Sequence, residues 1–501
     1  MPSLYALLPG TALGLILYVS LRMLYNITLH PLAKFPGPKL AAATRLYETY
    51  YEVFLGGRFS DHIFDLHQRY GPIIRVTPYE VVSVTPNKTV HILDSAYYDC
   101  LFNVNPELDK RRRTFDNLHE TPTFELHRKR RRAFDPYFSR ASILRLESVI
   151  TILVQKMCTQ ICEVKGTGTP LNMSTMYRCL TTDIISDYCF SQSYNMLDDP
   201  QGNEKFVVAF VGIFKMLFFM RESRWTAWLI QSMSVLPKWL VPTDECMAWI
   251  QGWQSGLGER IRDVKAGKKQ GFRASVFEQY IHNEDVPANE KSDKILLDNA
   301  LLFVSAGLET TGFACATATY HILDSPTISR TLKAEISSVW PKDGHMAPLT
   351  SLEKLPYLTA CLKESLRLSI GVMSRFHRIN HHRPIMYKDW TIDPGWSVSM
   401  SQRFVLYDEE IFPEAKTFRP ERWLKGEQSK ALDKWFVVFS RGARGCIGQN
   451  LAWAEMYIAI ASVVHSFNMS LHDTDRRHVD PKYDYFVPFP EVESGVRVIV
   501  K

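Results

Sequence analysis

One cysteine of this chain lies among glycines and arginines, in residues 439–452, which read FSRGARGCIGQNLA. Cys446 directly precedes a run with the apolar spacing of a helix, and the dipole and free N–H groups of a helix N-terminus stabilise a thiolate. Gly445 and Gly448 let a large flat partner approach the backbone, and Arg444 can bind an anionic group on it. A lone cysteine is more often an inert core residue, but these neighbours favour haem, which is flat, anionic and accepts one thiolate ligand.

A second group of chemically active residues interrupts an otherwise apolar segment, residues 292–323. Gly307, Glu309, Thr310 and Thr311 lie together near its middle. A mid-helix glycine costs about 1 kcal/mol relative to alanine, and a buried carboxylate costs more unless it is paired or hydrated. The group is either a packing glycine beside a satisfied polar cluster, or a local opening where an acid and a hydroxyl pass protons to a small ligand.

The segment itself predicts the longest helix of the chain. Ser292 and Asp293 can cap its start, and Pro326 lies just beyond its end. At 1.5 Å per residue this helix is roughly 50 Å long, enough to cross a whole domain. Because it is apolar on nearly all sides, it must be buried.

The rest of the sequence predicts one large, mainly helical domain. Its Gly/Pro-rich breaks are loop-sized, and no internal repeat divides it. The run IIRVTPYEVVSV, which starts at residue 73, predicts a β-hairpin. The net charge of +6 over 501 residues is mild and does not suggest a nucleic-acid-binding protein. The nine scattered cysteines, without a C-x-x-C pair, indicate a reducing compartment rather than a disulfide framework.

The N-terminus predicts a membrane anchor, residues 1–25, then a Pro-rich hinge, residues 26–45, and a cytosolic body, residues 46–501. Residues 4–21 are uncharged and mostly apolar, at the short end of what spans a bilayer. A secretory signal peptide is the alternative, but no basic region precedes the run and no A-x-A site follows it. Basic residues come before the first acid, so the positive-inside rule places the body in the cytosol.

The motifs together closely resemble those of the cytochrome P-450 family of haem-thiolate monooxygenases. The family's pattern F-x-x-G-x-R-x-C-x-G is matched in full by Phe439, Gly442, Arg444, Cys446 and Gly448. AGLETT matches its oxygen-activation motif, ESLR its E-x-x-R pair, FRPERW its P-E-R segment, and HRKRRRAF its propionate-binding helix. The order is the family's, and the resemblance covers almost the whole chain. It implies a mainly α fold with small β-sheets, the cytochrome P-450 fold, with an N-terminal transmembrane helix and a haem-thiolate catalytic domain.

The resemblance also implies a role for each matched residue. Cys446 is the axial thiolate of haem b, whose electron donation favours O–O cleavage. Thr310 and Glu309 steer protons to the distal oxygen. The haem propionates are held by four side chains: Arg444, Arg131, His127 and Arg378. The family usually has proline before the last of these, whereas this chain has His377, so Arg375 remains an alternative.

A buried charge network is a further implication of the resemblance. Glu364, Arg367 and Arg422 are expected to form it behind the cysteine loop. Its role is structural. Loss of one partner would leave an uncompensated buried charge at a cost of roughly 3–5 kcal/mol.

Partners follow from the resemblance and from two basic runs, KRRR at Lys110 and RKRRR at Arg128. A nuclear signal fits their pattern, but the predicted anchor argues against it, and a solvated face is the other alternative. The family takes electrons from NADPH through NADPH-cytochrome P-450 reductase, and we expect the cations to form a docking patch for that acidic partner. The expected location is the endoplasmic reticulum membrane, with a single membrane pass and a cytosolic catalytic domain.

The expected function is insertion of oxygen from O2 into a lipophilic natural product (a terpenoid, polyketide or indole-type secondary metabolite) in a fungal pathway. Residues 206–242 are rich in aromatics and methionine; in the family this region roofs the substrate cavity, and its adaptable side chains suit a bulky apolar guest. The same haem chemistry could instead give desaturation, ring closure or multi-step oxidation. A non-catalytic haem sensor is a remote alternative, since it would not need AGLETT.

Overall fold

The computed structural model describes residues 4–78, 80–83, 116–200, 203–205, 212, 214–215, 244–268, 273–424 and 426–501. Helices dominate these residues, and the strands form small sheets. This mainly helical architecture with small β-sheets confirms the predicted fold class. The aromatic segment 206–242 and the basic run at Lys110 lie almost wholly outside the described residues, so both interpretations stay predictions.

The helices share one extensive apolar core, which the central helix crosses. The α-helices of the described residues are α1 Leu4–Thr28, α2 Lys39–Ala43, α3 Leu46–Thr49, α4 Phe59–Tyr70, α5 Phe124–Phe134, α6 Arg140–Glu163, α7 Met173–Phe190, α8 Asp244–Lys265, α9 Val276–His282, α10 Asp293–Asp324, α11 Pro326–Val339, α12 Leu349–Leu352, α13 Pro356–Ser369, α14 Gln402–Leu406, α15 Gly426–Asp433 and α16 Gln449–Ser466. Shorter helical turns are Pro31–Lys34, Tyr50–Phe54, Met196–Asp198, Ala288–Lys291, Pro420–Trp423, Gly442–Arg444 and Arg476–His478.

The strands form small sheets, of which the largest has four strands in the order β1-β2-β7-β4. Their bounds are β1 Ile73–Thr77, β2 Glu80–Ser83, β3 Leu171–Asn172, β4 Phe376–Ile379, β5 Ile385–Tyr387, β6 Trp390–Ile392, β7 Ser397–Met400, β8 Met469–Leu471, β9 Tyr483–Tyr485, β10 Val487–Phe489 and β11 Arg497–Val500. Strands β1 and β2 pair antiparallel with Ile73 opposite Ser83, which confirms the predicted hairpin. Strand β11 joins β3 and β8, and β5–β6 and β9–β10 are two-stranded pairs.

The long central helix, α10, extends over Asp293–Asp324, one residue later at each end than predicted. It begins after Ser292, which has the extended backbone of an N-cap residue. It ends where Pro326 occupies the first turn of the next helix. Helices α7, α8, α13 and α16 pack around it, so most of its side chains are buried, as its all-round apolar sequence requires.

By length and composition, α10 is the one helix of the described residues that could cross a membrane. Because 67% of its apolar window is buried inside the protein, it is a core helix. The N-terminal helix α1 contains a shorter apolar stretch, Leu13–Thr28, whose side chains are mostly exposed. The N-terminal membrane anchor therefore remains a prediction.

The end of α1 and the residues that follow it pack against the body of the chain. The guanidinium of Arg75, which is buried, donates to the main-chain carbonyl of Asn26 at 2.8 Å, and the Asn26 side chain donates to the carbonyl of Ala43 at 3.1 Å. The ring of His30 packs edge-on against Trp396. These contacts hold the end of α1 against the body, whereas the division into anchor, hinge and catalytic domain stays a prediction.

Candidate active site

The cysteine loop ends in the first turn of α16. The Cys446 N–H donates to the carbonyl of Phe439 at 2.8 Å, and Gly448 is the N-cap residue of α16. Burial raises the pKa of the Cys446 thiol, while the N–H groups of Gly448 and Gln449 and the charge of Arg131 act against this rise. The side chain is nevertheless accessible. Both properties fit a thiol that opens onto a space largely enclosed by protein, where a metal cation would stabilise the thiolate.

Basic side chains gather beside this loop. Arg131 Nη1 donates to the carbonyl of Gly445 at 2.6 Å, and Arg444 Nη2 donates to the carbonyl of Thr121 at 2.7 Å. His127 is 3% exposed, and its Nδ1 has no hydrogen-bond partner among the described residues. The pKa of His127 is lowered to about 3, mainly by burial and also by the charges of Arg444, Arg131, His119 and Arg378.

The same cluster provides a test of the predicted haem site. A neutral imidazole with an open nitrogen, surrounded by cations, is expensive to bury without a ligand. An anionic group such as a haem propionate would accept a hydrogen bond from the imidazole and offset the positive charges. The accessible thiol of Cys446 lies next to Gly445, whose carbonyl Arg131 binds. The residues present therefore fit haem.

The structure separates the two arginines that the sequence left as alternatives. Arg375 is buried and paired with the carboxylates of Glu48 and Glu52, which lie in and just after α3. Arg378 lies on β4, and its charge is one of the causes that lower the pKa of His127. The geometry favours Arg378 for binding a propionate and gives Arg375 a structural role.

The middle of α10 is continuous helix, so no break opens at the predicted polar cluster. A Cβ atom on Gly307 would lie 3.1 Å from the side chain of Ile185 on α7, so this glycine is needed for close packing. Ala306 is exposed and Thr310 is half-buried, although most of the helix is buried. The Thr310 hydroxyl donates to the carbonyl of Ala306 at 2.9 Å. The opening is therefore an accessible patch on the helix surface.

Glu309 does not lie on that patch. It is buried and binds Arg178 of α7 through both oxygens, at 2.7 Å to Nε and 2.5 Å to Nη2. Successive helix residues point about 100° apart, which accounts for the different directions of Glu309 and Thr310. Arg178 was not predicted from the sequence. A lone arginine inside the largely uncharged segment of α7 could have indicated it, since a buried cation needs an acidic partner.

The predicted charge network is confirmed. Glu364 accepts from Arg367 at 2.7 and 3.0 Å, from Arg422 at 3.0 Å and from the indole of Trp423 at 2.8 Å. Arg367 is fully buried and also donates to main-chain carbonyls. Trp423 contacts Phe436, whose ring lies against Phe439 at the start of the cysteine loop. The network thus supports the loop from one side.

The basic run in α5 is divided between the interior and the surface. Arg130 is 3% exposed and is paired with Asp116 at 2.7 Å and Glu290 at 2.6 Å. It cannot contribute to a docking surface. Three of its neighbours are exposed: Arg128, Lys129 and Arg132.

Comparison with known proteins agrees with this site. The family model "Cytochrome P450" matches residues 45–491. The cytochrome P450 monooxygenase MO6277 of Ascocoryne sarcoides is 36% identical over 99% of this chain and 98% of that protein. The monooxygenase TRI4 of Trichoderma arundinaceum is 32% identical over 97% and 95%, and the tryptophan 6-hydroxylase fscE of Fusarium equiseti 33% over 94% and 92%. The chain therefore belongs to the cytochrome P450 family and is a monooxygenase-type oxidoreductase.

Proposed function

We propose that this protein inserts oxygen from O2 into a lipophilic secondary metabolite of fungal origin, of the terpenoid, polyketide or indole type. The accessible Cys446 thiol beside the cation cluster around His127 is the observation that carries the proposal. Relatives named as fungal monooxygenases, one of them a tryptophan hydroxylase, support the reaction type. We further propose that NADPH supplies the electrons through a reductase, and that α1 anchors the enzyme to the endoplasmic reticulum membrane.

Cys446 would hold the haem iron, and the propionates would lie against Arg444, Arg131, His127 and Arg378. When bound, haem supplies O2 binding and oxygen transfer. The thiolate needs help because burial opposes it, and the N–H groups of Gly448 and Gln449 provide part of that help. The imidazole of His127 is neutral near pH 7, so it would donate its N–H to a carboxylate without adding a further charge.

Protons would reach the site through α10. Thr310 Oγ1 lies at the accessible patch and can exchange its bond to the Ala306 carbonyl for a bond to a ligand or water. Glu309 would supply protons only when Arg178 releases at least one of its oxygens. We therefore assign the direct contact to Thr310 and a gated, indirect supply to Glu309.

The test is a comparison of metabolites, by mass spectrometry, from the native host with and without this gene. A third strain carries Cys446→Ser, a substitution that keeps the chain but removes the thiolate. We expect the deletion and Cys446→Ser strains to accumulate the same precursor, lighter than the lost product by one or more oxygens. A difference of only two hydrogens would mean desaturation or ring closure. A normal product in the Cys446→Ser strain would contradict the assignment of the haem ligand.

A further inference from the structure

Residues 116–121, which we call the strap, contact both the cysteine loop and the central helix α10 without forming a helix or strand of their own. Asn117, Leu118 and Thr121 of the strap are nonetheless buried. A buried segment without regular structure must find partners elsewhere for its main-chain N–H and C=O groups. Those partners identify the parts of the protein that hold the strap in place.

The first of these parts is the second turn of α10. Asp298 Oδ2 accepts from the main-chain N–H of Asp116 at 2.9 Å, and Asn299 Oδ1 accepts from that of Leu118 at 2.9 Å. The Asn299 amide also donates to the carbonyl of Ile295 in its own helix at 2.8 Å, which fixes its orientation. Asn299 is 1% exposed and Asp298 is 8% exposed. Because a buried polar side chain is costly unless it is hydrogen-bonded, the strap accounts for two polar residues in a mostly apolar helix.

The second part is α5, which holds the strap through Arg130. This guanidinium donates through Nη1 to the hydroxyl of Thr121 at 2.8 Å and is paired with the carboxylate of Asp116 at 2.7 Å. It also binds Glu290, just before the start of α10, at 2.6 Å. Both ends of the strap are therefore bound to buried polar side chains of the helices beside it.

Arg444 of the cysteine loop takes its direction from the strap. Its Nη2 donates to the carbonyl of Thr121 at 2.7 Å, and its Nη1 donates to the carbonyl of His119 at 3.4 Å. Because the guanidinium is planar and rigid, two acceptors from one segment restrict both its position and its plane. The strap also leads into α5, which carries His127 and Arg131. A displaced strap would therefore displace the cation cluster.

We propose that Asn299 and Asp298 are positioning residues: by holding the strap, they direct Arg444 toward the anionic groups of haem beside Cys446. Both residues act through the strap and Arg444, so their effect is on haem retention and on the hydrogen bonds of the propionates. The inference rests on the proposed propionate site. Whether α10 holds the strap can be measured without that assumption.

The first experiment is hydrogen exchange of the holoenzyme, followed by mass spectrometry of the peptide that contains Leu118. We expect this peptide to be protected in the wild type, and Asn299→Ala to speed its exchange about tenfold, because a buried N–H loses its acceptor. Thr317→Val is the matched control. Thr317 is a buried residue of the same helix whose hydroxyl donates to the carbonyl of Phe313, so its loss should leave the strap protected.

The second experiment measures transfer of haem to an acceptor apoprotein, together with the propionate bending band in the resonance Raman spectrum. We expect Asn299→Ala and Asp298→Ala to release haem about fivefold faster, the size expected for one net hydrogen bond. Both should shift the band in the direction in which Arg444→Lys shifts it. Asp298→Asn retains an acceptor oxygen and should restore the wild-type rate and band, and Thr317→Val should change neither.

The outcomes separate the inference from the proposed function. A Leu118 peptide that is unprotected in the wild type, or that ignores Asn299→Ala, overturns the anchoring of the strap by α10. Faster exchange together with a wild-type haem release rate and band overturns the positioning role. An unchanged rate and band in Arg444→Lys contradicts the proposed propionate site, whereas hydrogen exchange still decides whether α10 holds the strap. If Asn299→Ala gives no holoenzyme, Asp298→Ala against Asp298→Asn carries the same comparison.

Discussion

His127 and His321 are both buried, and each has one ring nitrogen without a hydrogen-bond partner in the part of the chain that the structure describes. Burial is the main cause that lowers the pKa of each to about 3. Their surroundings differ. His127 lies in the cation cluster beside the accessible cysteine, whereas His321 is stacked on Phe418 with ring centroids 4.7 Å apart. An unpartnered buried imidazole therefore indicates a ligand only where the neighbouring groups complement that ligand.

The cations near the two histidines differ in the same way. Near His321, the charge of Arg367 is bound by the carboxylate of Glu364, so that region is complete by itself. Near His127, Arg131 and Arg444 donate to main-chain carbonyls, and Arg131 also forms an ion pair with the exposed carboxylate of Asp135. The region near His321 is closed by a buried ion pair, whereas the region near His127 combines basic side chains with a buried imidazole and an accessible thiol.

The largest effect is expected from Glu364→Ala, which breaks the buried ion-pair network near His321. The substitution leaves Arg367 and Arg422 as buried, uncompensated cations, which should lower the free energy of unfolding by about 3–5 kcal/mol. Thermal unfolding and the yield of haem protein in the carbon-monoxide difference spectrum measure the loss. The control is Glu427→Ala, which removes an exposed ion pair with Lys430 and should have no measurable effect. Equal losses for both would contradict a structural role for the network.

The second effect is faster loss of haem when the cation cluster around His127 is altered. His127→Leu should release haem to an acceptor apoprotein roughly tenfold to a hundredfold faster, since a hydrogen bond to a charged group contributes about 1.5–3 kcal/mol. The fold should persist, because leucine removes a polar atom that lacks a protein partner. The matched control is His321→Phe, a buried histidine outside the cluster, for which we expect the wild-type rate. A wild-type rate for His127→Leu would remove this residue from the propionate site.

Local sequence signals allowed the central helix, the cysteine loop and the Glu364 network to be predicted. The bounds of α10 were predicted to within one residue because its capping residues lie at its start in the sequence and Pro326 lies just after its end. The cysteine loop and the Glu364 network follow motifs with fixed spacing. Motifs fix the residue types of a site, so its members could be named before their contacts were known.

Contacts between distant segments could not be predicted in this way. Glu309 is paired with Arg178, 131 residues away, so its direction depends on how α7 packs. Arg130 was assigned to a basic surface, yet it shares the buried face of α5 with His127 and Phe134. The spacing of these three residues could have indicated burial, but the surrounding charges hid that pattern. Local charge density is a weaker guide than helical periodicity.

The third effect is a loss of folding stability as the pH falls. The folded protein keeps His321 neutral to a pH well below the ordinary histidine pKa of about 6.5. Its stabilising contribution is complete above about pH 6.5 and is lost as the pH falls toward 3. Between pH 6.5 and 5 this one group should lower the free energy of unfolding by about 2 kcal/mol.

His321→Phe removes that loss and keeps the ring stacked on Phe418. Denaturant unfolding at pH 7 and pH 5 should therefore show a smaller difference for the variant than for the wild type. His345→Asn, at an exposed position, is the control and should retain the wild-type difference. An unchanged difference in His321→Phe would mean that this imidazole is not protonated on unfolding.

The smallest effect tests whether the exposed cations of α5 guide the reductase, and hence electron delivery, to the site beside Cys446. Arg128 and Lys129 are exposed on the helix whose buried face carries His127. Reversing both with Arg128→Glu and Lys129→Glu should reduce the reductase-driven rate about tenfold at low salt, the lower range of electrostatic steering. The haem content should stay unchanged, and the difference from wild type should shrink as salt screens the charges.

A second pair of cations provides the control for this experiment. Arg130, which lies next to Arg128 and Lys129, binds Glu290 just before the start of α10. Arg476 lies near the opposite end of α10, where its charge helps to lower the pKa of His321. Reversing Arg476 and Arg477 changes the net charge equally but alters a distant surface. If both double reversals slow the reductase equally, the effect comes from net charge and α5 is not a docking surface. If only the α5 reversal acts, the same helix binds haem on one face and the electron donor on the other.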